Sequence, residues 1–252
     1  HLDLMSYNIL LKGAVRGTGK LELGRDLAIN PGDISDPLSG VPTKEPAFGL
    51  DAYWIEQSQS DEAKTLGYTI VDNATVVATH LNSLLRSNSS DLLGHDETRE
   101  ILDKVATRSP KLIEDLIPDK LSVTTVMQVL KNILFESISI RDIHTILGTL
   151  LTESGKTQNP DELTELVRPR LGHLMLQEII ELGDTLNVIT LDPKLEQMLI
   201  SSITQSAKIG EVVIEPNLAE GLLDSVKKEK EDAENQGHPA VIVVAPPIRP
   251  WL

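Results

Sequence analysis

The sequence predicts a mixed α/β chain built from several compact parts. Three observations carry this. Apolar residues alternate near both ends, they recur at helical spacing through the middle, and 252 residues exceed the roughly 100 to 200 of a usual single domain.

Taken in order, Tyr7 to Gly13 places Tyr7, Ile9 and Leu11 in alternation, and Lys20 to Leu27 does the same with Leu21, Leu23 and Leu27. The two segments are expected to form a hairpin around Arg16-Gly17-Thr18-Gly19. The turn signals Asn30-Pro31-Gly32-Asp33 and Gly40-Val41-Pro42-Thr43 predict a long irregular stretch before a strand at Phe48 to Ile55. Ser60-Asp61-Glu62 opens a short helix stopped by Gly67, Tyr68 to Val71 is a strand, and Asp72 or Asn73 caps a helix to about Arg86. Residues 1 to about 92 are therefore α/β.

From Ser90 to Leu151 the spacing turns helical, with Leu102, Val105, Leu112, Leu116 and then Val126, Val129, Leu130, Ile133, Leu134. Pro110, Pro118 and Ser122 mark breaks between helices, and Ile140 to Leu151 continues the pattern. Asn159-Pro160-Asp161-Glu162 combines a cap with proline at the first helical position. Pro169 predicts a kink or break in the helix that follows. After Gly183 come a strand at Leu186 to Leu191, a helix from Asp192-Pro193, a helix from about Pro216 and a strand at Ala240 to Ala245. That is a second α/β unit. The mixed charges of Lys227 to Glu234 read as a solvated helix face, and no internal repeat occurs.

Composition excludes several function classes. With 38 acidic and 23 basic residues the net charge is -15, which repels phosphate backbones, so nucleic acid is a poor partner. The chain has no Cys, which excludes disulfides, thiolate zinc sites and cysteine nucleophiles. No apolar run reaches the ~18 residues of a membrane span, and the chain as given is expected to be soluble. Aromatics are only 3%, so each is informative.

Motifs tested for chemistry fail. Gly17-Thr18-Gly19-Lys20 suggests a phosphate loop, but the pattern's first glycine would fall at Ala14, Leu21 follows the lysine, and a strand rather than a helix comes next. A hairpin tip is the better reading. Six histidines sit in no ligand spacing, G-x-S-x-G is absent, and no catalytic, metal or cofactor site is expected. What stands out is Glu45-Pro46-Ala47-Phe48-Gly49-Leu50, a scarce Phe beside Pro and Gly at the lip of a strand. Phe48 there fits either a core position or a partly exposed anchor, and the residues alone leave both open.

Ordered segments decide between them by resemblance. Glu45 to Leu50, Trp54-Ile55, Leu66-Gly67-Tyr68-Thr69-Ile70-Val71-Asp72, Ala74 to Leu81, Asp91-Leu92-Leu93-Gly94, Pro110 to Leu116, Val129 to Leu134 and Ser139-Ile140-Arg141-Asp142 closely resemble the FlhA (FHIPEP) family of type III export gates. Val76-Val77-Ala78-Thr79-His80-Leu81 fits its flagellar branch better than its virulence-injectisome branch. The resemblance covers nearly the whole chain. It implies the cytoplasmic domain of an inner-membrane export gate, assembled in the full-length protein as a nonameric ring, that docks flagellar export chaperones with their cargo and meets other export-apparatus components. By the same resemblance the transmembrane region is expected to lie outside this sequence, and the last subdomain to be incomplete near Trp251-Leu252.

The implied organisation is a first α/β subdomain (1–23 plus 73–92), an inserted second (24–72), a helical third (93–172) and a C-terminal α/β fourth (173–252), with hinges at Ser87 to Ser90 and Glu153 to Gln158. The implied chaperone site comprises Glu45, Phe48 and Thr79: Phe48 as desolvated anchor, Thr79 as a rim hydroxyl, Glu45 as a charge facing the partner. His80 reads as structural. The rival from another class is a soluble acidic enzyme with a dispersed site, which bound nucleotide, bound metal or turnover would reveal.

Overall fold

The computed structural model describes residues 5–32, 34, 38–177, 179–180, 183–206 and 215–249. The chain forms two compact units, His1–Ile140 and Arg141–Leu252. Asp33, Trp251 and Leu252, named above, fall outside the described residues.

In the first unit, β1 (Ser6–Leu11) and β2 (Ala14–Lys20) form an antiparallel hairpin. Its turn is Lys12-Gly13, not the expected Arg16 to Gly19. Both residues have positive φ, 49° and 81°, as a two-residue turn matching the strand twist requires. Gly17 and Gly19 lie inside β2 because side chains occupy the space their own would need. A Cβ on Gly17 would meet His80 Nε2 at 2.7 Å, and one on Gly19 would meet Tyr7 Cζ at 2.4 Å. The stretch expected to be one strand from Lys20 to Leu27 breaks at Gly24 (φ 70°), and Leu27 joins a different sheet.

That second sheet is wholly antiparallel, in the order β4-β5-β3-β6, from β3 (Arg25–Ile29), β4 (Val41–Lys44), β5 (Asp51–Glu56) and β6 (Thr69–Val71). Strand β4 arises within the stretch expected to be irregular. Pro42 disguises it, yet proline is tolerated on an edge strand, and β4 is the edge. Both faces of the sheet are covered. Leu27, Ala52 and Trp54 pack with Val76 of α2 (Asn73–Ser87), while Ala28 and Ile55 pack with Ala63 of α1 (Ser60–Thr65) and Tyr68. Asp72 starts α2 by accepting from the Thr75 amide at 2.8 Å.

The helices α3 (Ser89–Leu92), α4 (His95–Arg108), α5 (Pro110–Leu116) and α6 (Val123–Phe135) complete the unit. Their buried residues, including Leu102, Val105, Leu116, Val126, Val129, Leu130 and Ile133, are those the helical spacing selects. Proline opens α5 and Ser122 caps α6, accepting from the Thr125 amide at 3.0 Å.

The second unit contains α7 (Ile143–Glu153), α8 (Pro160–Val167), a 3-10 turn at Arg168–Leu171 and α9 (Gly172–Gln177). Asn159 caps α8 through the amides of Asp161 and Glu162, and Pro169 sits in the 3-10 turn, the expected break. Beyond it, β7 (Val188–Thr190) pairs in parallel with β8 (Val241–Val243). The connecting helices α10 (Pro193–Ser206) and α11 (Pro216–Asn235) contribute Leu199, Ile203, Leu218 and Leu222 to a core with Ile248. Among the described residues, no helix is long and apolar enough to cross a membrane.

Candidate functional site

The loop between β4 and β5 turns on Glu45. Its amide donates to the Leu50 carbonyl at 2.8 Å, and its carbonyl accepts from the Gly49 amide at 2.9 Å, with Gly49 at φ 72°. Pro46 has no N–H, so the first free amides of the turn belong to Ala47 and Phe48. Both point at the Glu45 carboxylate: Ala47 donates to Oε1 at 2.8 Å and Phe48 to Oε2 at 2.7 Å. The turn is thus capped as a helix N-terminus is, by an acidic oxygen on orphan amides.

Two consequences follow. Glu45 is 3% exposed and each of its carboxylate oxygens already accepts a backbone amide, whereas Phe48 is 69% exposed. The carboxylate goes in and the aromatic ring stays out, the reverse of what solvation alone favours. Fully covering an exposed Phe side chain is worth about 1.5–3 kcal/mol, so the turn withholds the larger part of that from folding and leaves it available to a partner.

Thr79 lies half-buried on α2, one residue before His80. His80 is 4% exposed; its Nδ1 lies 2.9 Å from the Tyr7 hydroxyl, and the two rings meet edge to face with centroids 5.7 Å apart. His80 is thereby a packing residue, clamped between Tyr7 and Gly17. Burial raises the Tyr7 pKa above its ordinary value, and the charge of Glu45 raises it further. The structure therefore joins Glu45 to Phe48 directly, while Thr79 lies on α2, next in sequence to His80. Sequence reasoning missed Tyr7. The signal was present: an aromatic on one strand facing glycines on its partner, where its ring replaces the absent side chains.

Among the described residues, no group of His, Asp or Glu could hold a metal ion. The segment Gly17 to Lys20 is an extended strand, without the ring of inward amides that cradles phosphate.

Comparison with known proteins decides the family, because the FHIPEP profile matches residues 1–252. The chain belongs to the FHIPEP family. The flagellar biosynthesis protein FlhA of Escherichia coli K12 is 42% identical over 246 residues, covering 98% of this chain and 35% of the relative. FlhA of Bacillus subtilis 168 is 33% identical over 246 residues, with 98% and 36% covered. This FHIPEP chain therefore spans about a third of the length of those curated relatives. Among solved structures, the nonameric SctV-C of EPEC is similar at TM-score 0.75 and 23% identity, covering 98% of this chain and 74% of that one. A chain of the Chlamydia pneumoniae CdsV and CdsO protein complex is similar at TM-score 0.76 and 22% identity, with 99% and 73% covered. At those identities the likeness shows the fold alone, and the mixed α/β class expected from the sequence agrees with it.

Proposed function

We propose that this chain is the part of a flagellar type III export gate that receives export chaperones with their cargo, and that Phe48 is the anchor of the docking site. The observation that carries the reading is the geometry of the 45–50 turn. One of only two Phe residues is held 69% exposed by a carboxylate committed to the backbone beneath it. Interfaces draw their affinity from a few such aromatic anchors ringed by polar groups. Glu45 serves this site by holding the turn rather than by facing the partner with its charge as the resemblance implied, because its buried carboxylate already accepts the Ala47 and Phe48 amides, and Thr79 serves by offering a hydroxyl at the rim. The work is differential binding, not catalysis.

The flagellar branch is supported by relatives named as flagellar biosynthesis proteins at 33–42% identity. Injectisome structures are similar at only 18–23%. Two neighbours are nonameric and a third is a complex with CdsO, which supports a ring in the full-length protein and a contact with other export components at the cytoplasmic face of the inner membrane. In this reading residues 24–72, which hold the four-stranded sheet, are an inserted subdomain within the 1–23 plus 73–92 body. Residues 93–172 and 173–252 form two further subdomains, and the α2–α3 junction and the turn after α7 are the hinges.

The test is calorimetric titration with a flagellar filament-type chaperone bound to its cargo. The parent is expected to bind, and Phe48→Ala to lose on the order of 2 kcal/mol while remaining folded. Equal binding by both places the site elsewhere. Binding of an injectisome chaperone in preference to the flagellar one assigns the chain to the other branch.

A further inference from the structure

The β1–β2 hairpin carries two backbone irregularities, and both bear cations. Lys12 occupies a left-handed turn position (φ 49°) that Asn or Gly adopts with less strain. In the register, Ile9 pairs with Gly17 and Leu10 with Val15, which leaves Arg16 as the extra residue of a bulge. Bulges re-aim side chains and collect beside functional sites, and a strained turn kept by a long charged residue invites the same question.

Both side chains line one small cavity of about 270 Å³, with Asn88, Asp91 and, from α6, Lys131. Three cations thus face one carboxylate on a chain whose net charge is -15. The cations are poorly satisfied. Lys12 donates to the backbone carbonyl of Asp91. The Arg16 guanidinium stands 4.0 Å from the Asp91 carboxylate, beyond hydrogen-bond length, although it carries five donors. Lys131 is half-buried and, among the described residues, has no carboxylate within ion-pair distance. Glu97 senses Lys12 only as the weakest of its influences, its pKa being lowered first by hydrogen bonds from its own backbone amide and that of Gly94.

We infer that Lys12, Arg16 and Lys131 form a subsite for a single oxyanion, a carboxylate or a phosphate group. The volume is below the roughly 300–1,000 Å³ of small-molecule pockets, which suits one such group and not a nucleotide. The arrangement supplies a planar fork from Arg16 and two point charges from the lysines, and Asp91 competes from inside for the same donors. This site is independent of the Phe48 turn.

The experiment uses the whole chain and two probes, inorganic phosphate and the peptide Glu-Glu-Asp-Glu-Asp-Glu, followed by amide NMR shifts at low salt. Phosphate is expected to shift the amides of Gly13, Arg16, Asn88 and Lys131 saturably. Arg16→Ala and Lys131→Ala should each weaken binding about five-fold, with unchanged circular dichroism. Asp91→Asn should tighten it, because the internal competitor is lost, and added salt should weaken it. If the peptide competes with phosphate, the oxyanion is an acidic side chain of a protein; if phosphate saturates and the peptide does not compete, it is a small free anion. Shifts that do not saturate, or that persist unchanged in the Arg16→Ala, Lys131→Ala double variant, overturn the site.

Discussion

Phe48 and Trp54 sit on either side of the start of β5 and meet opposite fates. Trp54 is 4% exposed, paired across the sheet with Leu27 and sealed by Val76 of α2; Phe48 is 69% exposed on the turn just before the strand. Both are large scarce aromatics, so hydrophobicity alone does not separate them. The difference lies in what surrounds the backbone. A strand in the interior of a sheet covered on both faces has to bury its alternate side chains, whereas a turn sealed by its own buried carboxylate can hold a ring outward.

The contrast can be broken most severely at Trp54. Trp54→Ala should destabilise the protein by about 3–5 kcal/mol, read as a lower denaturant midpoint with unchanged slope. A loss below 1 kcal/mol would show that the sheet does not depend on that face. Glu45→Ala comes next. It strands the amides of Ala47 and Phe48 and should cost about 1–3 kcal/mol by the same measurement. If Glu45 instead spends its charge on a partner, stability will barely move and only docking will suffer. Phe48→Ala should change stability by no more than about 0.5 kcal/mol, since an exposed ring contributes little to the fold. A cost approaching that of Trp54→Ala would make Phe48 a core residue after all.

The smallest effect sharpens the role of carboxylate caps. Asp72 caps α2 from the surface, and hydrogen bonds from Thr75 hold its pKa below the ordinary 3.8. Its contribution is complete above that value and is lost as pH falls through the lower folded value, because protonation removes the acceptor charge. Asp72→Asn keeps a capping oxygen at neutral pH, so it should leave stability at pH 7 nearly unchanged while flattening the acid limb below pH 4. An acid limb identical to the parent's would assign that limb to other groups.

Helices were legible because their signals are local. Asp72, Ser122 and Asn159 cap within three residues of themselves, proline opens α5 and α8, and the spacing of Leu102, Val105, Val126, Val129, Leu130 and Ile133 names the core face before any neighbour is known. The strands were less so. Strand β4 exists only because β5 offers it hydrogen bonds, and Pro42 hides it from any pattern of residues. The hairpin turn was misplaced for a related reason: Gly17 and Gly19 resemble turn glycines, yet they answer to His80 and Tyr7, one of them more than sixty residues away. The site divided the same way. Resemblance pointed to Glu45, Phe48 and Thr79, while the part played by Glu45 depended on where its carboxylate lies.

By itself, then, the sequence determined the α/β class, the caps, the helical core faces, the acidic surface and the family. The first four are each a local hydrogen-bond pattern, a periodicity or a sum over residues, and the family was read from resemblance along the chain, so no distant contact enters. Only the tertiary structure decided that the Glu45 carboxylate is buried under its own turn, that Tyr7 reaches His80, and that Lys12, Arg16 and Lys131 face one cavity. Those facts depend on which side chains the folded chain brings within a few ångströms, and residues far apart in sequence carry no local signal of it.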